Sequence, residues 1–335
     1  MAYSCLLKIG LINKMNKNLS IFIEKFNVPK GLHNSIHIFL NEDEMIILNH
    51  LAEKEEKLSH LKSEFPHSGI SLIESLHEKG FLIKVLRGRQ SYYQSNSFEQ
   101  ILKRYVNHDP RYQELPEEEK IHFQKCALGF SLEKMRASQK PVYRVLPIEE
   151  TIQDKRQLIP YHQAIHYLQK AKDITLIDCL CRTTFNNCQK PRKVCLALGE
   201  QAKFFAEREI GEKTELKKAL NILDIAEKKG LVHSINNKEN PDYLCNCCEC
   251  CCFFIQALKK RGIFTSMGES GYAASLDPEL CNQCGICLDK CLFGAISENG
   301  ESIEFDEAKC FGCGLCAYNC PQEAVKLILK EKSIE

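Results

Sequence analysis

The sequence predicts an α+β fold built from several modules, and three observations lead to that prediction. The 335-residue chain contains 20 cysteines, and eight of them form two matched runs between residues 281 and 320. Six more fall within eight consecutive residues, 245–252. Nearer the start, residues 31–97 show three helical patterns, then a strand, a turn and a second strand. A chain of this length is expected to hold roughly two to four modules.

The two matched cysteine runs are an internal repeat. They read Cys281-x2-Cys284-x2-Cys287-x3-Cys291 and Cys310-x2-Cys313-x2-Cys316-x3-Cys320-Pro321. Each cysteine of the second run lies 29 residues after its counterpart in the first. This spacing resembles that of a bacterial-type ferredoxin with two [4Fe–4S] clusters. Two zinc sites are less favoured, because zinc sites pair C-x2-C motifs across a longer spacer.

The resemblance to ferredoxins also implies how the ligands are shared. In such proteins the fourth cysteine of each run binds the other cluster. The predicted ligand sets are therefore Cys281, Cys284, Cys287 and Cys320 for one cluster, and Cys310, Cys313, Cys316 and Cys291 for the other. We expect Gly285 and Gly314 where the chain bends close to a cluster. Leu292 departs from the pattern, because the second run has Pro321 at that position.

Ten further cysteines precede the repeat and indicate at least one more metal centre. They are Cys179, Cys181, Cys188, Cys195, Cys245, Cys247, Cys248, Cys250, Cys251 and Cys252. A free cysteine is usually a small buried hydrophobe, but adjacent cysteines must point in different directions. We therefore favour an additional iron–sulfur cluster with thiolates from both segments. Zinc or a redox-active thiol centre are the alternatives. Arg182 and His233 are the polar residues nearest these thiols, and Arg182 is expected to neutralise cluster charge.

The order of these motifs resembles the 4Fe–4S dicluster ferredoxin-domain proteins of anaerobes. The matching stretches are Arg144–Pro147, the C-x-C-R motif at Cys179–Arg182, Gly230–His233, and the run from Cys245 to Cys252. Glu249 stands where that family usually has glycine. The resemblance covers roughly residues 40–330 and implies a winged-helix-like N-terminal region, a cysteine-rich middle and a ferredoxin tail. It says little about a substrate.

Residues 31–97 resemble a winged helix. We expect Asn41 to cap the first helix, whose apolar stripe is Met45, Ile46, Leu48 and Leu51, and Ser68 to cap the third. Winged helices often bind DNA through the third helix. Here that helix, residues 69–79, carries Glu74 and Glu78 against one lysine, so its charge favours a structural or protein-docking role over DNA binding.

The predicted module boundaries follow from these patterns. They are an N-terminal helical segment at 1–30, the winged-helix-like domain at 31–97, a helical linker region at 98–160, a helical cysteine-rich domain at 161–270 and the ferredoxin domain at 271–335. Within the linker, residues 141–148 alternate like a short strand, which we interpret as a connector or an edge element. In the cysteine-rich domain we expect a buried strand at 174–177 and helices at 196–209 and 214–229.

Composition narrows the function further. A net charge of +1 gives no general attraction to nucleic acid or membranes. No apolar run could span a bilayer, no export signal is visible, and so many cysteines suit a reducing compartment, so we expect a cytoplasmic protein. No nucleotide-binding loop and no catalytic residue can be identified. The sequence favours an electron carrier or oxidoreductase subunit that serves a partner redox protein. The alternatives are a redox-sensing transcription regulator and a reductase acting at the upstream cysteines.

Overall fold

The computed structural model describes residues 17–66, 69–157, 163–300 and 302–330. It has an α+β fold and divides into two units, Met1–Ser131 and Leu132–Glu335. Within the described ranges, no helix is both long enough and apolar enough to cross a membrane. The finer five-part division stays a prediction, and the first half of the predicted N-terminal helical segment lies outside the described residues.

The first 137 residues are mainly helical with one small sheet. The helices are α1 (residues 17–25), α2 (Ile36–Phe39), α3 (Glu42–Leu51), α4 (Leu58–Glu64), α5 (Gly69–Glu78), α6 (Phe98–His108), α7 (Pro110–Gln113) and α8 (Glu117–Ala137). The strands are β1 (Glu56–Lys57), β2 (Leu82–Arg87) and β3 (Gln90–Ser95), which form an antiparallel sheet in the order β1-β3-β2. Three helices followed by a hairpin are therefore present between residues 42 and 95.

The start of α3 confirms the predicted cap. The Asn41 side chain accepts a hydrogen bond from the Glu44 backbone N–H, and the Glu44 carboxylate accepts one from the Asn41 N–H, each at 2.9 Å. Such a capping box satisfies two donors that a helix leaves free. The buried stripe of α3 differs by one position from the prediction, because Ile47 is buried whereas Ile46 is only half-buried. Ser68, the predicted cap of α5, lies outside the described residues.

The second unit is organised around a seven-stranded sheet. Its strands are β4 (Tyr143–Val145), β5 (Ile174–Asp178), β6 (Lys193–Leu198), β7 (Glu212–Lys213), β8 (Val232–Asn236), β9 (Tyr243–Cys247) and β10 (Met267–Gly268), in the order β10-β4-β8-β9-β6-β5-β7. The helices are α9 (Ala164–Lys170), α10 (Leu180–Phe185), α11 (Gly199–Glu207), α12 (Leu216–Lys228) and α13 (Phe253–Arg261).

This sheet corrects three predictions. The cysteine-rich middle is not simply helical, because its strands are buried on both faces and appear in the sequence as short apolar runs, which periodicity cannot separate from helix. For the same reason residues 193–198, partly assigned to a helix at 196–209, are β6, and α11 follows it. The strand expected near residue 143 exists as β4, but it lies between β10 and β8 rather than at an edge.

The chain after residue 270 contains two further strand pairs and two short helices. They are β11 (Tyr272–Leu276), α14 (Ile286–Lys290), β12 (Ile296–Asn299), β13 (Ser302–Phe305), α15 (Leu315–Tyr318) and β14 (Val325–Leu329). β11 pairs antiparallel with β14, and β12 with β13. Residues of the preceding segment join this part: the Ile148 N–H donates to the Cys313 carbonyl at 3.1 Å, and the Gln153 N–H donates to that of Leu327 at 2.9 Å.

Candidate metal centres

Each predicted ferredoxin ligand set lines its own cavity. The first cavity, of about 310 Å³, is lined by Cys281, Cys284, Cys287 and Cys320 with apolar neighbours that include Leu276, Ile286 and Ile303. The second, of about 330 Å³, is lined by Cys291, Cys310, Cys313 and Cys316 with Phe293, Phe311 and Leu327. Four sulfurs around an otherwise apolar cavity fit the four terminal ligands of a [4Fe–4S] cluster.

Two equivalent backbone bonds explain why each fourth cysteine lies beside the other run. The Asp277 N–H donates to the Ala324 carbonyl, and the Asp306 N–H donates to the Ala295 carbonyl, both at 2.8 Å. Ala324 follows Cys320 by four residues, and Asp277 precedes the first run by four. The chain beyond one run is thereby tied to the start of the other. The crossed ligand assignment stays a prediction, and these contacts are compatible with it.

The surroundings of the sulfurs suit bound iron. Backbone N–H groups donate to sulfur in three places, from Ala295 to Cys291 at 3.1 Å, from Ala274 to Cys310 at 3.3 Å and from Gln283 to Cys281 at 3.4 Å. Burial raises the pKa of Cys313 to about 12 and also raises that of Cys287. A metal would supply the positive charge that these thiols need in order to lose their protons.

The glycines predicted at the bends do adopt conformations that favour glycine. Gly285 and Gly314 have φ values of +74° and +84° and precede α14 and α15. A Cβ at Gly314 would lie 2.6 Å from the Thr151 hydroxyl oxygen, so the crowding comes from the protein itself. Leu292 is buried in an apolar core with Val145 and Leu315, which accounts for a leucine where the repeat has proline.

The two ferredoxin cavities differ in exposure. Cys284 in the first is the one exposed cysteine among the described residues. In the second, Cys313 and Phe311 pack against the core that also contains Cys247 and Cys252. The second cavity is therefore the one that adjoins the upstream cysteines.

The ten upstream cysteines separate into two groups. The sulfurs of Cys188, Cys248, Cys250 and Cys251 all lie within 4.8 Å of one another. The measured sulfur–sulfur distances are 4.0 Å for Cys188–Cys248, 3.7 Å for Cys188–Cys251 and 3.9 Å for Cys250–Cys251. A tetrahedral ion with bonds of about 2.3 Å holds its sulfurs about 3.8 Å apart. This four-cysteine set therefore has the spacing of a site for one metal ion.

The other six upstream cysteines lie on the opposite face of the sheet. They are Cys179, Cys181, Cys195, Cys245, Cys247 and Cys252. In β5 and β6, Leu176 and Leu196 pack with the four-cysteine set, whereas their neighbours Ile177 and Cys195 pack with Cys179. Successive residues of a strand point to opposite faces, so the sheet separates the groups. Each group draws on both cysteine segments.

Arg182 is a fully buried cation next to the four-cysteine set. It is 1% exposed, its Nη1 donates to the Cys248 Sγ at 3.4 Å, and both Nη atoms donate to the Asn246 carbonyl at 3.0 Å. Burial disfavours this charge, but the negative charge of Cys179 and the bond to Cys248 outweigh it and raise the pKa of Arg182. The arginine thus neutralises thiolate charge, as its sequence position suggested.

We expect Arg182→Met to lower the free energy of unfolding of the metal-loaded chain by about 3–5 kcal/mol, because it leaves buried thiolate charge without its cation. Arg192→Met is the matched control: Arg192 is exposed, and its loss should cost no more than about 0.5 kcal/mol. Urea unfolding followed by far-UV circular dichroism measures both. Equal effects of the two substitutions would contradict the charge-neutralising role of Arg182.

His233 supports the site through Asn246. Its Nδ1 lies 2.6 Å from the Asn246 Oδ1, and its Nε2 lies 2.9 Å from a Glu227 carboxylate oxygen. Asn246 is fully buried and also donates to the Val194 carbonyl at 2.5 Å. Sequence reasoning missed Asn246, although its position between two cysteines of one strand marks it as the residue that points away from them.

Glu249 and Ser234 complete the surroundings of the upstream cysteines. Glu249 is 46% exposed and forms an ion pair with Lys259, whose Nζ also donates to the Leu292 carbonyl at 2.7 Å. Lys259 therefore links the cysteine-rich loop to the ferredoxin-like part. Ser234, which the sequence did not single out, places its hydroxyl 3.3 Å from the Cys247 Sγ.

Comparison with known proteins places a family on this C-terminal part alone. Residues 280–324 match the model of a 4Fe-4S dicluster domain. No curated protein and no solved structure matches the chain significantly. Within residues 280–324, the chain carries a 4Fe-4S dicluster domain.

Proposed function

We propose that this chain is an iron–sulfur electron-transfer protein that relays electrons between a partner oxidoreductase and its own upstream cysteine centre. The observation that carries the proposal is the pair of four-cysteine cavities inside the segment that matches a 4Fe-4S dicluster domain. When bound, a [4Fe–4S] cluster takes up or releases one electron.

The chain's own residues have three tasks in this proposal. The two crossed cysteine sets hold the clusters, with Cys291 and Cys320 as the exchanged ligands. Backbone N–H groups such as that of Ala295 donate to the ligand sulfurs and so favour their negative charge. Apolar side chains, with Phe311 as an example, keep water out of the second cavity. The exposed Cys284 marks the first cavity as the one that a partner protein can approach.

The four-cysteine set is the proposed third centre. Its sulfur spacing suits one tetrahedral ion, either iron or zinc. An iron–sulfur cluster at this set is less favoured, because a cubane distributes its four thiolates over four separate irons and so holds them farther apart. Iron would make the centre redox-active, whereas zinc would make it structural.

We further propose that the winged-helix-like region docks a partner protein. Arg87 of β2 forms an ion pair with Glu55 at 3.0 Å, and Lys79 pairs with the buried Glu44 at 2.6 Å, so neither cation is available for phosphate. Three large apolar side chains of α5 and β2 are exposed: Ile70 at 40%, Ile83 at 43% and Leu86 at 68%. Exposed apolar side chains close together favour a protein partner.

Anaerobic reduction of the full chain tests the proposed function. With reduced methyl viologen as the donor, we expect at least two electrons to enter each chain, about one per ferredoxin cluster. They should leave again on addition of an oxidised viologen of higher potential. Visible absorbance and electron paramagnetic resonance measure the change. Absence of reversible reduction would contradict electron transfer. Specific binding of the full chain to DNA upstream of its gene, lost on oxidation, would favour the regulator instead.

A further inference from the structure

The six cysteines on the second face of the sheet form a closed ring. Side-chain hydrogen bonds link Cys179 to Cys181 and Cys195, Cys195 to Cys245, Cys245 to Cys247, Cys247 to Cys252, and Cys252 back to Cys181. The contact between the Cys252 and Cys247 sulfurs measures 3.3 Å. All six are free thiols. We call this group the six-cysteine ring.

Regular secondary structure fixes every member of the ring. Cys195 lies within β6, and Cys245 and Cys247 lie on one face of β9. Cys179 and Cys252 immediately precede α10 and α13 and act as their N-terminal cap residues. Rigid elements hold ligands more accurately than loops do, so the ring is a built arrangement.

Packing alone does not account for the ring. Cys179, Cys195, Cys247 and Cys252 are all less than 10% exposed, and a buried cysteine normally packs as a small hydrophobe against carbon. Here each sulfur instead faces two other sulfurs. Sulfurs that converge in this way, in a site closed to water, are the ligand set of a soft metal.

The spacing of the ring excludes a single ion bound by three or more of its sulfurs. Two sulfurs on one ion can be no farther apart than about 4.6 Å, twice a bond of about 2.3 Å. Among the described residues, the group of three or more ligand atoms that lie mutually within 4.8 Å is the four-cysteine set. No three sulfurs of the ring meet that limit, although each touches its neighbours. The ring is therefore wide enough to surround several metal ions.

We infer that the six-cysteine ring is a separate metal centre that takes an iron–sulfur cluster with more than four irons. A cubane needs only four terminal thiolates, and the ring offers six. The ring also adjoins the ferredoxin-like part, because Cys247 and Cys252 share an apolar core with Phe311 and Cys313. Its use in electron transfer rests on the proposed function; the metal site itself does not.

Iron analysis of the full chain, assembled anaerobically, tests this inference. We expect the wild-type chain to hold more than about twelve irons, of which about eight belong to the ferredoxin clusters. Cys195→Ala and, separately, Cys247→Ala should each lose more than about four irons and keep the ferredoxin signals in electron paramagnetic resonance. Cys251→Ala is the matched control, because Cys251 is equally buried but belongs to the four-cysteine set. It should retain the iron of the ring.

Three outcomes would overturn the inference. The first is a wild-type chain with only about eight irons, or with about nine if the four-cysteine set takes one. The second is a loss of about four irons from the ring variants, which would mean a single cubane. The third is loss of the same iron from Cys251→Ala, which would mean one shared centre. The wild-type count and its Mössbauer spectrum decide the matter even if the variants fail to fold. Failure of reversible reduction would leave the iron count unchanged, so the two proposals fail separately.

Discussion

Cys291→Ser should remove the cluster bound with Cys310, Cys313 and Cys316, and Cys320→Ser should remove the cluster near Cys281. The reason is geometric, because each fourth cysteine lines the cavity of the other run. Each substitution should cost about four irons per chain and about half of the ferredoxin signal after reduction. The two variants serve as controls for each other.

The measurement is electron paramagnetic resonance of the reduced chain, with Cys281→Ser and Cys310→Ser as references. Cys291→Ser should match Cys310→Ser and differ from Cys281→Ser. If Cys291→Ser instead removed the same signal as Cys281→Ser, the crossed assignment would be wrong.

Gly312→Ala is expected to destabilise the ferredoxin-like part by roughly 3–5 kcal/mol. Gly312 has a φ of +64°, and a Cβ there would lie 2.2 Å from the Tyr272 carbonyl oxygen and 2.3 Å from the Ser270 hydroxyl oxygen. The carbonyl belongs to β11 and cannot move without breaking its pairing with β14. The added carbon therefore has to displace backbone next to two ligands of the second cavity.

Gly300→Ala is the control for the backbone conformation alone. Gly300 has a nearly identical φ of +62°, and no described atom lies within 4 Å of its added Cβ. Its cost should be limited to about 1–2 kcal/mol of left-handed strain. Urea-induced loss of cluster absorbance from the full chain measures both variants. Equal midpoints for the two would contradict the steric explanation.

The C-terminal centres could be predicted from the sequence because their determinants are local. Three cysteines two residues apart, followed by a fourth, define a ligand loop without knowledge of the rest of the fold. The cap at Asn41 was predictable for the same reason, since its partner Glu44 is three residues away.

The division of the upstream cysteines could not be predicted, because it depends on which face of a strand each residue occupies. Cys247 and Cys248 are adjacent in sequence, yet they belong to different groups. Cys247 is the last residue of β9, whereas Cys248 lies in the turn beyond it. Strand pairing over long sequence separations sets these positions. β4 illustrates the same limit, because its place inside the sheet depends on a parallel partner more than 120 residues later.

The unequal exposure of the two ferredoxin cavities has a consequence for damage by dioxygen. A small oxidant that diffuses from solvent meets the exposed Cys284 side first, while the Cys313 side lies against the packed core. On the proposed function, oxidation would begin with the outer cluster and cut the chain off from its partner. The inner sulfurs would at that stage still be shielded. A protein damaged in this order can be repaired by replacing one accessible cluster, without reopening the core around the six-cysteine ring.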